Sequence, residues 1–280
     1  MLTAGLVRAA ELALPSIPTS LAPPLASAAG TVAWATSPQR RAAVRANLEV
    51  VAPDRCSPAM VRRVFVEQAL NYLEIFRIQR LGAATIRAIV EKRGWESFTG
   101  AVAQGRGVIV ASAHLGPISL VGQILSAYGH TVVLPIEAEH SEFQRAVNRA
   151  RRAIGLQLVP TETPLAIYRA LKEGKVFGVL ADRAVTGVGE RALFFGRDTL
   201  LPSAHVALAL RANVPLIPAF SSREGDRLVA SFEPALDLVS TGNRDADVHE
   251  GLRRWSAVLE RYVRRSPEQW TVFERVWADG

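Results

Sequence analysis

The chain has 280 residues and a net charge of +7, and 49% of its residues are hydrophobic against 21% that are charged. These proportions exclude a disordered chain and are typical of a globular protein with a large core. Cys56 is the single cysteine and the five histidines lack the spacing of zinc motifs, so we expect no disulfide framework and no metal site.

The N-terminal segment carries no charged residue from Leu12 to Gln39, a length that could span a bilayer. Five prolines interrupt this run, and proline breaks the hydrogen bonding of a helix interior. The Ala-Ser-Ala at 27–29 resembles a signal-peptide cleavage site, but Glu11 stands where such leaders are basic. We interpret residues 1–35 as short helices, broken by prolines, that lie on a membrane surface as a hairpin.

Residues 36–103 have a helical pattern. Ser37-Pro38 and Ser57-Pro58 each open a segment in which apolar residues recur at spacings of three and four, and a further helix is predicted near 84–103. Nearly all basic residues of the chain are arginines, whose forked side chains suit phosphates and carboxylates. Because no nucleic-acid-binding motif is present, we expect an anionic membrane surface or a phosphate-bearing ligand as the partner, and no nucleic acid.

From residue 104 onward, short apolar strands alternate with helices, which predicts a mostly parallel central sheet flanked by helices. The predicted strands are 108–113, 132–136, 156–160, 176–182, 216–220 and a late antiparallel strand within 228–238. The predicted helices are 117–128, 141–153, 164–173, 203–212 and 244–265. We therefore assign the chain to the α/β class. It is predicted to be a single domain, 1–280, made of a membrane-associating segment 1–35, a helical region 36–103 and an α/β core 104–280.

Polar residues follow several of the predicted strands, at the sheet edge where ligands of open α/β proteins gather. His114 follows the strand 108–113, Glu137 follows 132–136, and Asp182 ends 176–182 with Arg183 after it. Any one of these side chains alone is more typical of a structural or solvated group. Their convergence on one rim, from different strands, predicts an active site there.

Seven segments match, in order, those of a known bacterial family. They are RRAAVRANL (40–48), the helix 61–77, GVIVASAHLG (107–116), RARRAIGLQLVP (149–160), KVFGVLADRAVTGVGERALFFGR (175–197), LPSAHVALALRANVPLIPAF (201–220) and PEQWTVFERVW (267–277). On these segments, the chain resembles the family of late acyltransferases of lipid A and phosphatidylinositol-mannoside acyltransferases. This family belongs to the lysophospholipid acyltransferase superfamily.

The resemblance implies that a histidine deprotonates an acceptor hydroxyl, which attacks an acyl thioester, while a carboxylate after four intervening residues orients the ring. His114 matches the histidine, but Ser119 occupies the carboxylate position and carries no charge. Three interpretations stay open. A rim carboxylate (Glu137, Asp182 or Glu190) acts in its place, the acceptor's own phosphate or carboxylate does so, or the chain is a degenerate relative without turnover.

The resemblance also implies where substrates are held. Arg151 or Arg152 corresponds to a family arginine placed to hold a phosphate, while Arg183 could pair with Asp182 or contact the donor's phosphopantetheine. Gly116 precedes the predicted helix at 117–128, whose free N–H groups would favour an oxyanion near His114.

We therefore expect a membrane-associated O-acyltransferase that moves a fatty acyl group from acyl-CoA or acyl carrier protein onto a glycolipid or lysolipid hydroxyl. It would act at the cytoplasmic face of the inner or plasma membrane, without cofactor or metal. The alternative is a homologue that only binds lipid or acyl carrier, as Ser119 and the Ala184 that replaces a second family acid indicate. An active enzyme should place a carboxylate within about 3 Å of the His114 ring, with an apolar channel ending there.

Overall fold

The computed structural model describes residues 4–78, 80–136, 139–184 and 187–277. Within these ranges the protein has a seven-stranded, mostly parallel sheet flanked by helices, a separate two-stranded sheet, and a helical N-terminal region. This arrangement confirms the predicted α/β class.

The elements follow one another in a regular order along the chain. The helices are α1 Ala4–Ala13, α2 Ala22–Thr36, α3 Pro38–Val51, α4 Pro58–Ile78, α5 Ala83–Ile89, α6 Trp95–Val102, α7 Leu120–Ala127, α8 Glu142–Ala153, α9 Pro164–Lys172, α10 Ala204–Ala212 and α11 Arg244–Arg265. The strands are β1 Val90–Arg93, β2 Val108–Ser112, β3 Val132–Ile136, β4 Gln157–Pro160, β5 Val176–Leu180, β6 Glu190–Phe194, β7 Arg197–Leu201, β8 Leu216–Glu224 and β9 Arg227–Phe232.

The large sheet has the strand order β1-β9-β8-β2-β5-β3-β4, and β8–β9 is its antiparallel pair. Strand β2 lies in the middle and is buried along its whole length. Its residues alternate between two apolar clusters, Ile109 and Ala111 in one and Val108 and Val110 in the other. Because successive side chains of a strand point to opposite faces, both faces of the sheet are covered at β2.

The N-terminal helices pack against the body of the protein. Helix α2 lies along α4 through a face of small residues, and a Cβ atom at Gly30 would approach the Val66 Cα to 2.5 Å. Val7 of α1 is buried against the α8 residues Ala146 and Ala150. In the described part of the chain, no helix combines the length and the apolar character that crossing a membrane would demand.

The prediction of one helix over 84–103 is wrong, because strand β1 separates α5 from α6. Val90–Arg93 pairs in parallel with β9 at the edge of the sheet. Gly94 then takes a left-handed conformation, with φ at +65°, and its missing side chain leaves room for the Phe232 carbonyl. Tertiary pairing overrides the local helical preference here, as it can for any short segment.

The predicted elements of the α/β core are all present, although several of their ends differ. Strand β5 ends at Leu180 rather than at 182, and β8 continues to Glu224 rather than ending at 220. Helix α7 begins at Leu120 rather than at 117, and the strand expected within 228–238 ends at Phe232. Pro234 follows soon after Phe232 and has no N–H to donate to a ladder.

A hairpin formed by β6 and β7 was not predicted. Its two-residue turn is Phe195–Gly196, and both residues have positive φ, as the tight turns of hairpins require. Phe194, just before the turn, is fully buried in the core.

Candidate active site

His114 lies two residues beyond the end of β2, where the chain leaves the buried sheet. Its backbone carbonyl accepts a hydrogen bond from the Thr271 amide at 2.7 Å, which holds the main chain in place. The side chain is 18% exposed, so the ring is set into the protein but reaches its surface.

Asp182 contacts the His114 ring because of the register between two neighbouring strands. Ser112 of β2 is paired with Leu180 of β5, so the residues two positions further on come to lie side by side. The His114 Nδ1 atom is 2.8 Å from Asp182 Oδ1, and the His114 backbone N–H donates to Oδ2 at 2.9 Å. The expected distance between a rim carboxylate and the ring is therefore met.

Asp182 is fully buried, yet its oxygens are well supplied with donors. Besides the two groups of His114, the Trp270 Nε1–H donates to Oδ2 at 2.9 Å. Burial alone would raise the pKa of Asp182, but the His114 charge and these hydrogen bonds outweigh it, so the pKa lies below its ordinary value. The carboxylate is therefore ionised at neutral pH and can only accept hydrogen bonds.

This geometry determines what the imidazole can do. An ionised Asp182 that accepts from Nδ1 requires the proton of the neutral ring to sit on Nδ1. The Nε2 lone pair is then available as a proton acceptor, and a negative charge lies where an imidazolium would need it. The arrangement is that of a general base with its orienting acid.

Ser119 does not take the orienting role that its sequence position predicted. The Nδ1 atom of His114 is occupied by Asp182, while the Ser119 Oγ is buried and has no hydrogen-bond partner among the described residues. Ser119 precedes the first residue of α7 and caps it with no side-chain hydrogen bond.

Gly116 also differs from its predicted role. Its N–H donates to the Gln269 carbonyl at 3.0 Å, and α7 begins four residues later, so this amide is not free to bind an oxyanion. Gly116 has φ of +59°, and a Cβ atom there would lie 2.4 Å from the Ser221 carbonyl oxygen. Close approach of two backbone segments is what this position requires of a glycine.

The other two rim carboxylates are not part of this contact. Glu137 lies outside the described residues. Glu190 is the first residue of β6 and is half-buried, and in the described structure it forms no hydrogen bond or ion pair with His114. Among the described residues, Asp182 is thus the carboxylate that the fold brings to the ring.

The three predicted substrate-binding arginines have different surroundings. Arg183 pairs with Glu274 at 2.8 Å rather than with Asp182, and its Nε is buried without a partner in the described ranges. Arg152 is exposed and lies 3.9 Å from Glu139.

Arg151, on the same helix, is the most isolated cation of the three. Burial lowers the pKa of its guanidinium, whose hydrogen-bond partner is Asn148 Oδ1 at 3.3 Å. Within the described chain it has no carboxylate partner, which leaves its charge available to an anionic ligand.

Trp270 is a site residue that the sequence did not reveal. Its motif, Pro-Glu-Gln-Trp, belongs to a segment that matches the family, but Trp270 lies 88 residues from Asp182 along the chain. No periodicity connects the two positions. The match of this motif to the family is the one sequence signal at Trp270, and it does not indicate which residue the indole contacts.

The described residues contain no cluster of side chains that could bind a metal ion. Across the described ranges, no three His, Cys, Asp or Glu side chains come together as a metal site would require. The expectation that neither metal nor cofactor takes part stays a prediction.

Comparisons with known proteins agree on one family. The sequence matches the family described as "Bacterial lipid A biosynthesis acyltransferase" over residues 2–279. It is 22% identical over 224 residues to the phosphatidylinositol mannoside acyltransferase of Mycolicibacterium smegmatis. This alignment covers 78% of this chain and 72% of that protein. It is 24% identical over 213 residues to the phosphatidylinositol mannoside acyltransferase of Mycobacterium tuberculosis. This alignment covers 73% of this chain and 66% of that protein.

Proposed function

This chain belongs to the bacterial lipid A biosynthesis acyltransferase family, and we propose that it transfers a fatty acyl group from a thioester to a glycolipid hydroxyl with His114 as the general base. The observation that carries the proposal is the 2.8 Å contact between His114 Nδ1 and the buried, ionised Asp182. It favours the first of the three interpretations, in which a rim carboxylate replaces the acid missing at Ser119.

The proposed reaction uses the two nitrogens of His114 for different tasks. Nε2 takes the proton of the acceptor hydroxyl, whose oxygen attacks the thioester carbonyl to form a tetrahedral intermediate. The intermediate collapses to an ester as the carbon–sulfur bond breaks, and the proton on Nε2 passes to the departing thiolate. Asp182, bonded to Nδ1, stabilises the imidazolium between these two steps.

The donor and acceptor are proposed by chemical class. The donor is acyl-CoA or acyl carrier protein, and the acceptor is a glycolipid or a lysolipid. The names of the similar mycobacterial proteins favour a mannosylated phosphatidylinositol as the acceptor to try first. Arg151 and Arg183, each with unmet capacity to donate, are the proposed phosphate contacts. The apolar channel for the fatty chain stays a prediction.

We propose that the N-terminal segment rests on an anionic membrane at the cytoplasmic face, where the thioester donors are made. Leu12, Leu21, Leu25 and Val32 are exposed large apolar side chains on this uncharged stretch. An uncharged apolar surface of this kind is typical of peripheral membrane contact.

Arginines of α4 and of the turn that follows it border that stretch. Arg77 donates to the Ile17 carbonyl and Arg80 to the Ser16 hydroxyl, while Arg62 donates to the Thr31 hydroxyl. In the described structure none of these arginines forms an ion pair, so they would attract anionic lipid headgroups.

The test is acyl transfer from radiolabelled palmitoyl-CoA to phosphatidylinositol mannoside in vesicles. His114→Ala is expected to lower the rate at least a hundredfold, the lower range for general-base catalysis. His140→Ala is the matched control and should keep full activity, since His140 is exposed and its ring forms no hydrogen bond or ion pair with His114 or Asp182 in the described structure.

Equal transfer by His114→Ala would remove this residue from the mechanism. A wild-type protein that binds the acyl donor but transfers nothing, with acyl-CoA or with acyl carrier protein, would favour the alternative of a lipid- or carrier-binding homologue.

A further inference from the structure

We infer that the C-terminal segment 267–277, here called the strap, sets the geometry of the His114–Asp182 pair, and that Trp270 is its positioning residue. The inference deepens the proposed function and rests on it for the activity measurements only. It follows from three sets of contacts, each on a different strand of the sheet.

The strap crosses the ends of β8, β2 and β5, which are neighbours in the sheet. At β8, the Gln269 amide group brackets the backbone of Arg223, accepting from its N–H at 2.9 Å and donating to its carbonyl at 2.8 Å. At β2, Leu115 and Trp270 form an antiparallel bridge, and Thr271 donates to the His114 carbonyl. At β5, the Trp270 indole reaches Asp182.

The indole decides how the Asp182 carboxylate is turned. Oδ2 accepts from both the His114 backbone N–H and the Trp270 Nε1–H, each at 2.9 Å, which leaves Oδ1 facing the ring nitrogen. Trp270 is only 2% exposed and packs on Phe194, so the position of its N–H is well defined. Losing this donor would leave a buried carboxylate oxygen with one partner fewer and raise the pKa of Asp182.

The far end of the strap is anchored to the N-terminal region. Asn47 of α3 is 3% exposed, and its side chain donates to the Glu274 carbonyl at 2.8 Å and accepts from the Val276 N–H at 3.0 Å. Thr199 of β7 donates to the Val276 carbonyl. The strap is therefore held at both ends, as an element that positions a side chain must be.

The activity test compares Trp270→Phe with Trp277→Phe in the full chain. Trp277 is the matched control because its indole also packs on Phe194 and donates one hydrogen bond, to the Phe194 carbonyl at 3.2 Å. It touches the Trp270 ring by its edge but makes no hydrogen bond to Asp182. Trp270→Phe should lower kcat about tenfold to a hundredfold, the effect of one hydrogen bond to a charged group, with KM unchanged.

The same comparison includes a pH profile, which a merely structural role would not move. Because Asp182 without the indole donor keeps more negative charge to stabilise an imidazolium, the acidic limb of kcat/KM, which reports protonation of the general base, should shift to higher pH in Trp270→Phe and stay in place in Trp277→Phe. An unchanged kcat and an unchanged acidic limb in a folded Trp270→Phe would overturn the inference.

A spectroscopic test needs no substrate. The proton between His114 Nδ1 and Asp182 should give a downfield proton resonance, assigned by its loss in His114→Ala, because it lies in a charge-assisted hydrogen bond. We expect this resonance to move in Trp270→Phe and to stay in Trp277→Phe, and no movement in Trp270→Phe would contradict the inference. This result is independent of whether His114 proves necessary for transfer, so the two proposals fail separately.

Should Trp270→Phe fail to fold, β-(3-benzothienyl)alanine at position 270 keeps the shape of the indole and removes only its N–H. The same shifts are expected for that variant, and their absence would overturn the inference.

Discussion

Asp182 is a carboxylate whose burial is tolerated because every nearby group favours its charged form. A buried carboxylate without partners is strongly unfavourable, whereas this one accepts three hydrogen bonds, two of them from His114. Its folded-state pKa lies below the ordinary 3.8, so its charge stabilises the fold at neutral pH. This stabilisation is lost as the pH falls from the ordinary pKa through the lower pKa of the folded state.

His205 is a second buried titratable residue, and it behaves in the opposite way. The ring is 2% exposed and packs edge-on against Trp255, and among the described residues only the Pro202 backbone favours its charged form. Burial lowers the pKa of His205 from 6.5 to about 3. Between these two values the unfolded chain binds a proton that the folded protein does not, so His205 costs stability as the pH falls.

We predict that His205→Phe makes the protein more resistant to acid. The difference between the two free energies of unfolding, wild type minus variant, should decrease by on the order of 1 kcal/mol for each pH unit as the pH is lowered from 6.5 to 4. Urea unfolding at several pH values measures this difference, with His140→Phe, at an exposed position, as the control. An identical pH dependence in wild type and His205→Phe would show that this ring is not held neutral in the fold.

At the residue scale, the sequence singled out His114 and included Asp182, which contacts it, among the candidate carboxylates. Parallel strands bring the residues after them to one edge, so His114 and Asp182 could be placed together without a structure. The choice between Asp182, Glu137 and Glu190 depends on strand order and register, which the sequence does not specify. The contact of Trp270 depends on the path of the C-terminal strap, and no local pattern predicts that path.

At the scale of elements, most strands and helices of the core were predicted, because their apolar periods are strong and glycines mark their ends. The failures were short and depended on tertiary pairing. Strand β1 has four residues and exists through its pairing with β9, while β6 and β7 form a hairpin whose turn has a phenylalanine with positive φ. Neither has a sequence signal that competes with the helical or loop pattern around it.

Helix α2 gives the element-scale prediction for membrane contact. Its small residues Ala26 and Gly30 face α4, which leaves Leu25 and Val32 on the exposed side. We predict that the double variant Leu25→Asp, Val32→Asp loses at least tenfold in affinity for vesicles of phosphatidylglycerol and phosphatidylcholine, since it places charges where apolar side chains would be buried.

Cosedimentation with those vesicles measures the effect, and added salt should weaken wild-type binding because it screens the arginines that border α2. Leu165→Asp is the control, because Leu165 is also exposed but lies on α9 in the α/β core. Undiminished vesicle binding by the double variant would show that α2 does not carry the membrane contact.

At the scale of the whole molecule, polar contacts join the N-terminal helices to the edge of the sheet where His114 lies. Arg223 at the end of β8 forms ion pairs with Glu67 and Glu74 of α4, while Asn47 of α3 holds the strap. Helices α3 and α4 are thus connected to the sheet edge that carries the proposed catalytic pair through hydrogen bonds and ion pairs, and not only through apolar packing. We interpret the N-terminal region as part of the support for the site.

The central claim is that His114 and Asp182 act as one catalytic unit, and a double-mutant comparison of acyl transfer tests it most directly. Asp182→Asn keeps the shape of the side chain but removes its charge, and it should lower kcat by about a thousandfold or more, as the loss of such an orienting acid does. The account predicts that adding Asp182→Asn to His114→Ala lowers transfer no further, because residues that act as a unit are non-additive. Near-normal transfer by Asp182→Asn, or effects of the two substitutions that multiply, would contradict it.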